Sequence, residues 1–180
     1  MKKIVLCIFT VMLAASVLIF PAACKTGGYV AFGDSIAAGY GLDSPDEAYP
    51  SIMAQTLGFE LQNLAKNGQT STEMKARIAG LSDAEKRAVA NARLITISIG
   101  GNDLIGEKNR QFVLTEALIS VISGDYTMSD EMIGIYETLK ENLADSIAML
   151  RELNPDAVIL LQTLYNPYLT GNYTCLLYTS

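Results

Sequence analysis

Short apolar runs alternate with amphipathic stretches along most of this chain. Four runs, rich in branched or aromatic side chains, are typical of β-strands: YVAFG (29–33), FELQNL (59–64), RLITISIG (93–100) and AVILLQTL (157–164). Between them, helix-type periodicity and capping residues predict helices over 47–58, 71–81, 82–92, 115–123 and 129–155. The last is the clearest, because its apolar residues recur at three- and four-residue steps: Met132, Tyr136, Leu139, Leu143, Ile147 and Leu150.

Strands that alternate with helices predict βαβ units and a parallel sheet with helices on both faces. The nearly continuous apolar strands agree, because parallel strands are buried on both sides. We therefore predict an α/β fold, a three-layer α/β/α sandwich with a doubly wound parallel sheet. No internal repeat or linker divides it, so we expect a single domain.

The N-terminal residues do not fit this pattern. Lys2 and Lys3 precede the apolar run IVLCIFTVMLAASVLIF, and small residues follow it. This layout is typical of an export signal, which we place at residues 1–23. The alternative is a membrane-spanning anchor, since the run is close to the shortest length that spans a bilayer.

Cys24 ends the segment PAAC, which resembles the lipobox of bacterial lipoproteins. The resemblance implies that Cys24 becomes a lipidated first residue, which attaches the protein to a membrane through a short tether, residues 24–28. Pro21 departs from that pattern, in which a larger aliphatic residue is preferred. Cleavage after Ala23 would instead release a secreted protein. In both cases we expect export from a bacterial cell.

Charge and cysteine content exclude several classes of function. The chain carries a net charge of −6, and two of its positive charges lie in the predicted signal. An acidic domain without a basic cluster is a poor nucleic-acid binder. Three scattered cysteines predict neither a disulfide framework nor a metal site, and we expect no cofactor.

Small polar clusters follow each of the four predicted strands: GDS (33–35), AKNGQTS (65–71), GGND (100–103) and YNPY (165–168). In a doubly wound sheet, ligands bind at the carboxyl ends of the strands. The clusters suggest acyl transfer, with Ser35 as nucleophile. The backbone N–H groups of Ser35 and Gly68 and the side-chain amide of Asn102 would stabilise an oxyanion.

Each of these residues also has a purely structural interpretation. Ser35 could be only a helix N-cap, and Gly68 only part of a turn that follows Asn67. Asn102 could likewise cap the next helix, with Asp103 in its first turn.

The segments FGDSIAAGYG, NLAKNGQTS and ISIGGND resemble, in order and spacing, the first three sequence blocks of the SGNH (GDSL-type) hydrolases. The resemblance covers roughly residues 29–168 and implies a flavodoxin-like sheet and a metal-free serine hydrolase of small-molecule, lipid or carbohydrate esters. It implies that Ser35 is the nucleophile and that Gly68 and Asn102 complete the oxyanion hole. Supporting residues would be Gly33, Asp34, Gly101 and Asp103, and Tyr165 and Asn166 are candidates for the substrate pocket.

One feature departs from the family pattern. Its fourth signature, Asp-x-x-His, supplies the general base, yet this chain contains no histidine. We expect a truncated copy, with an incomplete domain at 29–173, its last strand and helix missing, and a non-native tail at 174–180. The alternative is a non-catalytic module on the same fold that binds glycans or lipids at the surface.

Overall fold

The computed structural model describes residues 27–163, and these form one parallel β-sheet flanked by helices. The strands are β1 (Gly27–Gly33), β2 (Phe59–Asn63), β3 (Ala92–Ser98) and β4 (Val158–Leu161). They pair in the order β2-β1-β3-β4, and every pairing is parallel. The predicted parallel sheet is confirmed. The predicted signal, Cys24 and the residues after 163 lie outside the described range.

Seven α-helices lie in this range: α1 (Ser35–Ala38), α2 (Tyr49–Leu57), α3 (Ser71–Ala79), α4 (Asp83–Ala90), α5 (Gly101–Ile105), α6 (Arg110–Ser123) and α7 (Asp130–Leu153). All five predicted helices are confirmed. Local chemistry fixes their ends: Thr70 and Ser82 begin α3 and α4 with capping boxes, which satisfy otherwise unpaired backbone N–H groups. Gly58 ends α2 in the left-handed conformation.

The helices cover both faces of the sheet, as predicted for a doubly wound fold. On one face α2 packs through Ala54 against Tyr29 and Ala31 of β1. On the other face, apolar residues of α3, α4 and α7 form the larger core with β1 and β3: Val30, Phe32, Met74, Ile78, Val89, Ile95, Ile97 and Leu150. No helix within residues 27–163 is both long and apolar enough to cross a bilayer.

The sequence prediction was wrong about the burial of β4. Val158 and Leu160 are 55% and 46% exposed, although their apolar run predicted a fully buried strand. Only Ile159 packs against the large core. The reason is position, because β4 lies at the edge of the sheet that the structure describes. Tyr136 is also exposed although it belongs to the predicted apolar stripe of α7.

The strand order determines where a site can form. From β1 the chain moves to β2, which pairs with one edge of β1, and then to β3, which pairs with its other edge. Ligands bind to such sheets where the strand order reverses, outside the carboxyl ends of the strands. Here that point lies between β1 and β3, which lead directly into Ser35 and Asn102.

Candidate active site

Backbone hydrogen bonds join the loops that follow the first three strands. Asp34 N donates to the carbonyl oxygen of Ser98 at 2.9 Å, and Lys66 N donates to that of Gly33 at 2.9 Å. The predicted clusters GDS, AKNGQTS and GGND therefore lie at one rim of the sheet. Tyr165 and Asn166, in the fourth predicted cluster, lie outside the described residues. Only the residues that precede this cluster can be placed at the rim.

Gly33 makes the sharp turn between β1 and α1 possible. Its φ is +152°, and a Cβ built at this position would overlap the carbonyl oxygen of Ser98. That oxygen is held in place because it accepts the hydrogen bond from Asp34 N. The glycine is thus required by the close approach of β3.

We expect Gly33→Ala to lower the free energy of unfolding by about 3 kcal/mol or more, because the methyl group meets fixed backbone. Gly41→Ala is the matched control, since Gly41 also has a positive φ, +86°, but open space around a Cβ. Strain alone should cost this control roughly 1 kcal/mol. Urea denaturation of both variants measures the difference, and equal losses would contradict the steric explanation.

Asp34, and not Ser35, is the N-cap of α1. Its Oδ1 accepts a hydrogen bond from Ile36 N at 3.0 Å. Burial raises the pKa of the Asp34 carboxyl, and the bond from Ile36 opposes that shift. The capping interpretation of Ser35 is therefore wrong, because the preceding aspartate has that role.

Ser35 occupies the first position of α1 and is half-buried. Within residues 27–163 its hydroxyl has no hydrogen-bond partner, whereas its carbonyl accepts from Tyr40 N at 2.9 Å. The backbone of Ser35 is thus fixed, and no hydrogen bond within residues 27–163 restrains its Oγ.

Gly68 lies in the loop between β2 and α3. Its φ of +75° is left-handed, and no atom lies within 4 Å of a Cβ built there. The turn therefore favours glycine at position 68, which agrees with the interpretation of Gly68 as part of a turn. The empty space beside its Cα also leaves its backbone accessible. The two interpretations of Gly68 are compatible.

Asn102 is held against the same loop. Its Nδ2 donates to the carbonyl oxygen of Gln69 at 3.0 Å. The N-cap of α5 is Gly100, so the interpretation of Asn102 as a cap is wrong. A side-chain amide has two N–H donors, and among residues 27–163 the second donor of Asn102 has no partner.

Asp103 and Gly101 have structural contacts. The Asp103 carboxylate is buried and accepts from Ser71 N at 2.9 Å and from Ser71 Oγ at 2.5 Å. It lies in the first turn of α5, as the sequence suggested. A Cβ at Gly101 would be 3.5 Å from Asp34 Oδ2. A narrow cleft here is lined by residues of three rim segments: Asp34, Ile36, Ser98, Ile99, Gly101, Gln162 and Thr163.

Asn63 is a residue of this site that sequence reasoning missed. Its Nδ2 donates to the carbonyl oxygen of Ala37 at 2.8 Å, and its Oδ1 accepts from Ala65 N at 3.1 Å. It ties α1, which carries Ser35, to the loop that leads to Gly68. The available signal was an Asn at the end of a strand, before a polar cluster.

The sequence profile of the GDSL-like Lipase/Acylhydrolase family matches residues 31–176. The match includes the three loops described above. A search of curated protein sequences finds no match to the chain.

Two solved structures illustrate the similarity. The lipase Lip_vut3 from a goat rumen metagenome is 25% identical, with a TM-score of 0.58 over 81% of this chain and 68% of the lipase. A variant of the esterase AlinE4 is 24% identical, with a TM-score of 0.50 over 80% of this chain and 62% of the esterase. The second likeness shows the fold alone. The chain spans about two thirds of the length of these two proteins.

Proposed function

This chain belongs to the GDSL-like lipase/acylhydrolase family, and we propose that its complete gene product is an exported serine ester hydrolase with Ser35 as nucleophile. One observation supports this above all. The Ser35 hydroxyl and the second N–H of Asn102, both without a partner among residues 27–163, and the exposed backbone of Gly68 occur at one rim, on loops joined by hydrogen bonds.

The proposed reaction is a two-step acyl transfer. Ser35 Oγ attacks the carbonyl carbon of an ester while a general base takes its proton, and the alcohol leaves with a proton returned by that base. Water then hydrolyses the acyl-enzyme. The N–H groups of Ser35 and Gly68 and the Asn102 amide would donate to the negative oxygen, and no cofactor takes part.

The reaction needs a general base, and this sequence contains no histidine that could act as one. We propose that it lies in an Asp-x-x-His segment of a longer gene product, as the family pattern implies. Reading the genomic DNA past codon 174 tests this point directly. A stop codon without such a segment would favour the binding module for glycans or lipids.

Active-site labelling tests the function itself. The complete gene product should react with a fluorophosphonate probe, and mass spectrometry should place the adduct on the peptide that contains Ser35. It should also hydrolyse a short-chain p-nitrophenyl ester. An adduct on another residue, or no adduct at all, would contradict the proposed role of Ser35.

We also propose that Cys24 is lipidated after export, so that the enzyme works at a membrane surface. Cys24→Ser should abolish incorporation of labelled palmitate and move the protein from the membrane fraction to the soluble exported fraction. Cys7→Ser, within the predicted signal, is the control and should change neither. Retention of the Cys24→Ser variant in the membrane would support the spanning anchor instead.

A further inference from the structure

The buried stripe of α7 contains two polar residues among apolar ones. Its buried positions are Leu139, Asn142, Ser146 and Leu150, and Asn142 is only 5% exposed. An amide in such a place costs free energy unless its hydrogen bonds are made. The contacts of Asn142 therefore indicate why the position is not apolar.

Asn142 begins a directional chain of hydrogen bonds across three helices. Its Nδ2 donates to Ser71 Oγ at 3.1 Å and to Thr72 Oγ1 at 2.9 Å, at the first turn of α3. Ser71 Oγ in turn donates to Asp103 Oδ1 on α5. Because Ser71 Oγ accepts from one partner and donates to the other, the two bonds strengthen each other.

This series of hydrogen bonds ends beside both proposed oxyanion donors. Asp103 follows Asn102, whose amide already donates to the Gln69 carbonyl. Ser71 lies three residues after Gly68, in the same loop and helix start. Two links, Asn102 to Gln69 and Asp103 to Ser71, thus fix the loop of Gly68 against α5, and Asn142 supports the second from α7.

We propose that Asn142 is a positioning residue, which acts through Ser71 and Asp103 to hold the Gly68 N–H and the Asn102 amide at a fixed separation. This inference rests on the proposed function, because it assigns Asn142 to the same site. Its expected effect follows from the steep dependence of catalysis on geometry, since a displacement of 1 Å can cost about 10²-fold in rate.

Asn142→Leu tests the inference, because leucine is similar in size but lacks the polar amide, including the Nδ2 that donates to Ser71 and Thr72. In the complete gene product we expect kcat for p-nitrophenyl acetate to fall about 10- to 100-fold, with KM changed less than about threefold. Ser146→Ala is the matched control. Ser146 is buried one turn further along the same stripe, and its Oγ has no partner within the described residues. This control should retain its kcat.

If Asn142→Leu does not fold, Ser71→Ala takes its place, since this change removes the middle member of the hydrogen-bond series and should lower kcat similarly. If both fold, kcat of the double variant should be little lower than kcat of either single variant, because each substitution interrupts the same series of hydrogen bonds.

The outcomes separate this inference from the proposed function. Hydrolysis by the wild type with unchanged kcat in Asn142→Leu and Ser71→Ala overturns this inference alone. Absence of hydrolysis in the wild type overturns the proposed function, and nuclear magnetic resonance then decides the inference. The amide resonances of Gly68 and Asn102 should shift in Asn142→Leu and stay unchanged in Ser146→Ala. No shift in Asn142→Leu overturns it.

Discussion

Ser35→Ala should lower kcat for p-nitrophenyl acetate by on the order of 10⁶-fold in the complete gene product, the loss seen when a serine nucleophile is removed from a hydrolase. The hydroxyl of Ser35 has no hydrogen-bond partner within residues 27–163, so its removal breaks no hydrogen bond in this part of the chain. KM and the free energy of unfolding should therefore change little.

The matched control is Ser51→Ala. Ser51 is also a half-buried serine near the start of a helix, but its hydroxyl donates a hydrogen bond to the carbonyl oxygen of Pro45. It should retain full activity. Steady-state kinetics and fluorophosphonate labelling measure both variants. If Ser35→Ala kept even a hundredth of the wild-type kcat, Ser35 could not be the nucleophile.

The second large effect concerns Asn102. Asn102→Ala should lower kcat about 10²- to 10³-fold, because one donor to the developing oxyanion is lost. Asn102→Asp should lose more, since a carboxylate in the same place donates no hydrogen bond and repels the negative oxygen. The losses should appear mainly in kcat, because the donor acts mostly in the transition state.

Asn91→Ala is the control for these variants, because Asn91 is an exposed residue at the end of α4, remote from the loops of the rim. Thermal unfolding of each variant separates a loss of donor from a loss of structure. Activity of Asn102→Asp equal to that of the wild type would exclude the amide from the oxyanion hole.

Much of the fold could be predicted from the sequence because local signals agreed with each other. The capping boxes that begin with Thr70 and Ser82 and the apolar run of β3 each specify one kind of element. The order of strands and helices then placed the polar clusters at one rim. Such inferences need only periodicity and general rules for parallel sheets.

Other features depend on tertiary contacts that a pattern does not encode. The sequence could not decide whether Asp34 or Ser35 caps α1, because both residue types are good N-caps. The apolar periodicity of α7 includes Leu139 and Leu143 but says nothing about Asn142. Only packing shows that Asn142 faces Ser71, and only the pairing order shows that β4 lies at an edge of the sheet formed by residues 27–163.

The central place of β1 has a consequence for how the protein is made. Of the four described strands β1 is synthesised first, yet its two neighbours, β2 and β3, are formed by residues 59–63 and 92–98. Contacts between segments so far apart form slowly, because long loops must close first. The turn that carries Ser35 is pinned by Asp34 N to the last residue of β3. A nascent chain therefore completes this turn only after β3 has been synthesised and has docked.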